Sequence, residues 1–232
     1  MWNTFTDAFY LNFVSENRWK YLTDGLKTTL IITLFACLMG IVLGFIVGMI
    51  RSTYEKTHKL KLLNAICKVY LTVIRGTPVI VQLLIIYFVL FGSVRIDKVL
   101  VAILAFGINS GAYVAEIFRS GIMSIDPGQM EAGRAVGLSF GTSMTKIVIP
   151  QAVKNILPTL GNEFISLVKE TSVVSFVGAA DLYVAFNYIG SNSYEFMVPY
   201  LVMALIYIAL VLIITLLVKI LERSLKKSDR RN

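Results

Sequence analysis

The chain is poor in the residues that enzymes use for chemistry. Of 232 residues, one is histidine and two are cysteine. That is too few for a Cys/His metal site, and no metal is expected. His58 lies in a basic connecting stretch and reads as a solvated side chain. Cys37 and Cys67 lie in or beside apolar runs. They offer no disulfide framework and read as small core residues. No Gly-x-x-x-x-Gly-Lys-Ser/Thr occurs, so the chain has no loop of that kind to cradle phosphate, and ATP hydrolysis by that route is excluded. No nucleophile–base pair stands out either, which disfavours a membrane enzyme; no catalytic residue is assigned. Charge is scarce at 16% of residues, well below a soluble domain. The N-terminus lacks a basic start followed by a short apolar run, so no cleavable signal is expected.

What the chain has instead is apolar surface. Hydrophobic residues make up 56% and the mean hydropathy is +0.74, so the solvent is lipid. The length suits one membrane domain. Five apolar segments read as crossings: 23–50, 61–92 (interrupted), 96–118, 160–178 and 196–221. The fold class is therefore all-α and multi-pass. Basic residues are distributed unevenly. Segments 51–61, 119–160 and 218–232 hold fourteen Lys/Arg, and segments 1–22, 92–98 and 179–197 hold four. Positive charge marks the cytoplasmic side, so the N-terminus is expected outside and the C-terminus inside. The outer segments are short, so no fused substrate-capturing domain is expected. Residues 222–232 form a basic tail (Lys226, Lys227, Arg230, Arg231). Contact with anionic lipid accounts for it more simply than nucleic acid does.

Residues 1–22 are not empty. Trp2, Phe5, Phe9 and Phe13 recur at three- and four-residue spacing, which makes one face of a short helix aromatic. It reads as an amphipathic segment at the outer interface, with Trp19 and Tyr21 as belt residues. In the first span Gly40, Gly44 and Gly48 repeat every fourth residue, a smooth ridge for close helix packing.

Between two apolar regions lies a polar segment punctuated by glycine, residues 126–158. Asp126 can cap free N–H groups, Pro127 suits a first helical turn, and Gly137 suits a left-handed stop. A helix of about ten residues follows, too short to be stable alone in water and too polar to span lipid. It needs a partner surface. Within it Glu131-Ala132-Gly133 precedes Gly137, Ile147 and Ile149-Pro150. This resembles the coupling loop of ABC importer permeases: Glu-Ala-Ala, three residues, Gly, nine residues, Ile, one residue, Leu-Pro. Gly133 replaces the second Ala and Ile149 the Leu; both keep a small or branched apolar residue.

Three further segments are similar to the polar amino acid branch of those permeases. They are Arg75-Gly76-Thr77-Pro78 before an apolar run with Gln82, residues 108–119, and residues 157–172. The resemblance covers roughly residues 20–225. It implies a type I ABC importer permease fold and inward transport of a polar amino acid. It also implies the partners: a second permease subunit (the same chain or another), a cytoplasmic ATPase pair that binds ATP and Mg, and an extracytoplasmic amino-acid-binding protein. The implied location is a bacterial cytoplasmic membrane. Glu131, Ala132, Gly133, Arg134 and Gly137 would form the ATPase coupling surface. Another solute, such as an organic anion or sulfur compound, remains open, as does a passive channel or scaffold bound to an ATPase.

The residues themselves suggest a path. Pro78 cannot donate and clashes one turn back, so the second span breaks at Gly76, Thr77 and Pro78. Arg75 lies in an apolar run, where charge is costly and usually functional; snorkelling or pairing with a structural acid is the plain alternative. At 100° per residue, Asn162, Glu163, Ser166, Lys169 and Glu170 share one stripe of the fourth span. That stripe suits a translocation path, or else a Lys169–Glu163 or Lys169–Glu170 pair that only locks a dimer. Asn109 and Tyr113 share a face with Glu116, which can simply pair with Arg119.

Overall fold

The computed structural model describes residues 2–229, and the side chains of residues 5–224. All regular structure among them is helical. Helix α1 (Trp2–Phe9) leads through a wide turn into α2 (Trp19–Thr57). Then come α3 (Lys61–Arg75), α4 (Val79–Leu84) with a π-helical extension to Leu90, and α5 (Lys98–Met123). Short helices α6 (Pro127–Ala135) and α7 (Phe140–Ser143) precede α8 (Ile149–Glu170), α9 (Leu182–Ser193) and α10 (Met197–Asp229). The Lys226 and Lys227 side chains, and Arg230 and Arg231 entirely, lie outside the described part.

Three helices are long and apolar enough to cross a membrane: α2, α5 and α10 through Ser224. Two bent pairs raise the number to five. One is α3 with 79–90, bent by 105°; the other is 140–177 with α9, bent by 56°. The interrupted second span is therefore present, broken where Pro78 stands.

The α2–α5 seam organises the fold, and its sequence explains why. A Cβ added to Gly40 would stand 2.8 Å from Ser110 Oγ, and one on Gly44 would stand 2.8 Å from the backbone nitrogen of Ala115. One on Gly48 would meet Ala115 O at 2.9 Å. The glycine ridge thus lets the two backbones touch. Ile32 and Ala36 of α2, Leu83 of α4, Val101, Ala105 and Phe106 of α5, and Leu167 of α8 bury one core around this seam. Val114, Phe118 and Ile122 of α5 build a second with Met144, Val148, Ala152 and Ile156. Cys37 and Cys67 are free and buried.

Several boundaries differ from the sequence reading. Helix α2 runs past Ile50 to Thr57 because Arg51 and Glu55 sit one turn apart and pair at 3.5 Å, so a charge ends the apolar run without ending the helix. It stops at His58, which is left-handed. The helix that holds the fourth span begins well before Leu160: Phe140–Val177 is helical throughout, with a π-helical stretch at Met144–Val148, Pro150 in the first turn of α8 and Pro158 inside it. Residues 179–197, expected to be a plain outer segment, form α9. Leu182, Ala185, Phe186 and Ile189 are its buried face, spaced as an amphipathic helix requires.

The amino-terminal segment is helical as expected, but the aromatic face divides. Phe5 and Phe9 are exposed, while Phe13 is buried with its ring edge-on to Phe186 at 6.1 Å. Asn12 is fully buried, donating to Glu195 Oε2 at 2.7 Å and accepting from Ser193 Oγ at 2.5 Å. The wide turn at Tyr10–Val14 shifts the register and turns these two residues inward. The Trp2 side chain lies outside the described residues.

Candidate functional site

The polar loop folds as its residues dictate. Asp126 Oδ1 accepts from Gly128 N at 2.8 Å, Pro127 occupies the first turn of α6, and Gly137 has φ +88°. Gly137 N and Leu138 N return to Arg134 O and Gly133 O at 3.0 and 3.1 Å, closing the helix end. Glu131, Ala132, Arg134 and Val136 are exposed, and Gly133 is buried. A Cβ on Gly133 would lie 2.8 Å from Ile147 Cδ1 and from Ser143 Oγ. So α6 rests its small residue on the base of the 140–177 rod. Gln151 Nε2 donates to Gln129 Oε1 at 3.2 Å, and Asn155 Nδ2 to Ser124 Oγ at 3.0 Å, tying the N-terminal end of α6 and the residues before it to the same rod.

The upper part of that rod carries the polar stripe. Glu163 Oε1 accepts from Ser110 Oγ of α5 at 2.8 Å. Asn162 and Lys169 are exposed; Ser166 and Glu170 are half-buried. Among the described residues, none of Asn162, Ser166, Lys169 and Glu170 makes a side-chain hydrogen bond or salt bridge. Neither Lys169–Glu163 nor Lys169–Glu170 is paired.

Arg75 ends α3 and reaches α5. Its guanidinium lies over the Tyr113 ring at 5.6 Å and 3.7 Å from Glu116. The expected Glu116–Arg119 pair is present, with Arg119 Nε donating at 2.8 Å. Arg119 continues to Glu55 at 3.3 Å, and Glu55 to Arg51. Five charges thus link α2, α3 and α5. Glu55 escapes sequence reasoning as part of this network because Arg119 lies 64 residues away, and Arg51 joins only through Glu55. Arg75 and Glu163 reach α5 at residues three apart, Tyr113 and Ser110, which are neighbours on a helix.

Asn109 is buried and donates to Gln82 Oε1 at 3.0 Å. Gln82, named above only within a motif, is the main polar residue to which the sequence reading gives no role. Its signal was available: an amide in an apolar run, one turn beyond a helix-breaking proline.

This architecture can be set beside known proteins. Over 162 residues, 69% of this chain and 74% of the relative, it is 41% identical to the arginine transport system permease protein ArtQ of Bacillus subtilis (strain 168). It is 33% identical over 226 residues, 97% of this chain and 94% of the relative, to the L-cystine transport system permease protein TcyB of the same organism. Among solved structures, a crystal structure of an amino acid ABC transporter with histidines has a TM-score of 0.82 at 39% identity, covering 91% of this chain and 98% of that one. The MetNI methionine ABC transporter in an inward-facing conformation shares the fold, with a TM-score of 0.79 at 22% identity and 91% and 99% coverage. Residues 26–227 match the family of binding-protein-dependent transport system inner membrane components, and this chain belongs to it.

Proposed function

We propose that this chain is the permease subunit of an ATP-driven importer that moves a polar amino acid into the cell by alternating access. The observation that carries this reading is the single rod from Phe140 to Val177. Its base holds the exposed helix α6, and its upper half holds the stripe from Asn162 to Glu170. Motion imposed on α6 reaches the stripe along continuous helix, through the π-helical residues Met144–Val148 and past Pro158. A cytoplasmic ATPase pair, binding ATP and Mg, drives α6 through Glu131, Ala132, Gly133, Arg134 and Gly137. A second permease subunit and an extracytoplasmic amino-acid-binding protein complete the complex. The N-terminus lies outside and the C-terminus inside, on the strength of the basic-residue asymmetry.

The stripe suits the cargo. A zwitterion is costly to strip of water, so its path must replace hydration on both charges. Glu163 and Glu170 can take the ammonium, with Asn162 and Ser166 beside them. Arg75, over Tyr113 and with Asn109 one turn further along α5, can take the carboxylate. Two acids against the single Lys169 favour a cationic or neutral polar substrate, a choice consistent with the name of the arginine permease relative.

Reconstitution with the ATPase in liposomes tests the reading. ATP-dependent uptake of labelled arginine or glutamine is expected, and Glu131→Lys should abolish it without preventing insertion. Uptake that needs no ATP would make the chain a channel; full ATP-driven uptake by the Glu131→Lys variant would remove α6 from the drive. Cysteines at two exposed positions test orientation. Tyr194→Cys should react with an impermeant thiol reagent added outside, and Val136→Cys should not. The reverse pattern would invert the topology.

A further inference from the structure

The 105° break in the second span is closed by a side chain. In an uninterrupted helix, Ile74 O would accept from the backbone N–H four residues on. That residue is Pro78, which has none. Gln82 Nε2 supplies the missing donor, 2.7 Å from Ile74 O. The same nitrogen lies 3.0 Å from Thr77 O and 2.8 Å from Thr77 Oγ1, so its two protons serve three acceptors across the break. The other end of the amide is held as well, since Asn109 Nδ2 donates to Oε1 at 3.0 Å. Gln82 and Asn109 are both buried. Other groups at the break bond locally: Thr72 O accepts from Gly76 N, Val73 O from Thr77 Oγ1, and Pro78 O from Val81 N and Gln82 N.

Asn109 shares one face of α5 with Tyr113 and Glu116, the two residues that meet Arg75. The amide therefore ties the bend to the part of α5 that receives the guanidinium.

We infer that Gln82 is a positioning residue for transport: its amide replaces the N–H that Pro78 lacks, fixes the bend, and so sets Arg75 against Tyr113 and Glu116. The inference rests on the reading of Arg75 as part of the path. It separates the two things Gln82 does. Satisfying Ile74 O is a matter of stability. Holding the bend is a matter of transport.

Two variants of the full chain, purified with its ATPase, test it. Gln82→Leu removes the amide, leaving the half-buried Ile74 O without its donor and the buried Asn109 Nδ2 without its acceptor, which should lower the unfolding midpoint by about 4 °C or more. Adding Pro78→Ala returns a backbone N–H to residue 78 and lets the helix continue, so the double variant should regain at least half of that loss. Uptake should not follow. Both variants should show KM for the amino acid raised about tenfold or uptake lost, because the bend, loosened in the first and straightened in the second, no longer holds Arg75 in its place. Should Gln82→Leu fail to accumulate, Gln82→Met serves the same pair of comparisons. Equal midpoint losses with and without Pro78→Ala would overturn the replacement. Uptake recovering in step with stability would reduce Gln82 to a structural role. If the wild-type complex moves no amino acid, the functional reading fails on its own, and the midpoints still decide the replacement.

Discussion

The molecule breaks two of its spans, and it builds the breaks differently. The first, between Arg75 and Val79, turns by 105° around a proline and is closed from within by the Gln82 amide. The second, between Val177 and Leu182, turns by 56° with no proline. It uses the end devices of soluble helices. Gly178 takes the left-handed stop at φ +72°. Asp181 caps α9 by accepting from Val184 N at 3.0 Å. Thr29 of α2 accepts from Leu182 N at 3.1 Å. Each break is anchored to a different side of the α2–α5 seam, the first through Asn109 and the second through Thr29. A bend in lipid must satisfy its backbone groups inside the protein. The first does so with a side-chain amide bonded at both ends, next to the candidate path. The second does so with rigid caps.

If the seam anchors both breaks, disturbing it should have the largest effect. Gly44→Leu would drive a side chain into Val114 and the backbone of Ala115. Overpacking on this scale costs about 3 kcal/mol. Loss of a folded, detergent-stable chain is expected by size-exclusion fluorescence. A stable variant with a normal midpoint would mean that the helices can part there, and that the two breaks do not depend on a common seam.

Next in size is the second break itself. Asp181→Ala removes the cap of α9 and should cost about 1 kcal/mol. The loss is partly offset because Asp181 Oδ2 is buried without a partner, and the substitution removes that burden too. Asp181→Asn keeps the capping oxygen and should cost less than the Ala variant in the same melt. If Asn proves as costly as Ala, the carboxylate's charge matters there and the caps are not a sufficient account.

The two breaks were not equally legible in the sequence. Pro78 in an apolar run, with Arg75 three residues before it, announces the first. Gly178 and Asp181 look like an ordinary loop, so α9 went unread even though Leu182, Ala185, Phe186 and Ile189 carry the helical spacing. Helix α6 was legible to within a residue or two, because Asp126, Pro127 and Gly137 each act locally. So was the membership of the polar stripe, which needs only 100° per residue. What the stripe touches was not. Ser110 lies 53 residues from Glu163, and Glu116 lies about 40 from Arg75; such pairings follow from how α5 packs, which no local pattern states. Gln82 fell between the two cases. Its position was visible, but its role needed the knowledge that Ile74 O had lost its donor.

The smallest expected effect sharpens the contrast most. Lys98 Nζ donates to Gly178 O at 3.3 Å, so the second break also has a side-chain donor on a freed carbonyl. The likeness to Gln82 is formal. The Lys98 bond is long and exposed, water can replace it, and ordering a lysine side chain costs entropy. Exposed contacts of this kind contribute about 0.5 kcal/mol or less. Lys98→Met should therefore leave the unfolding midpoint within about 2 °C of wild type and leave uptake unchanged, while Gln82→Leu changes both. A Lys98→Met variant as unstable as Gln82→Leu would show that both breaks depend on a side-chain donor, and the distinction between a break closed by a side-chain amide and one closed by helix caps would fall.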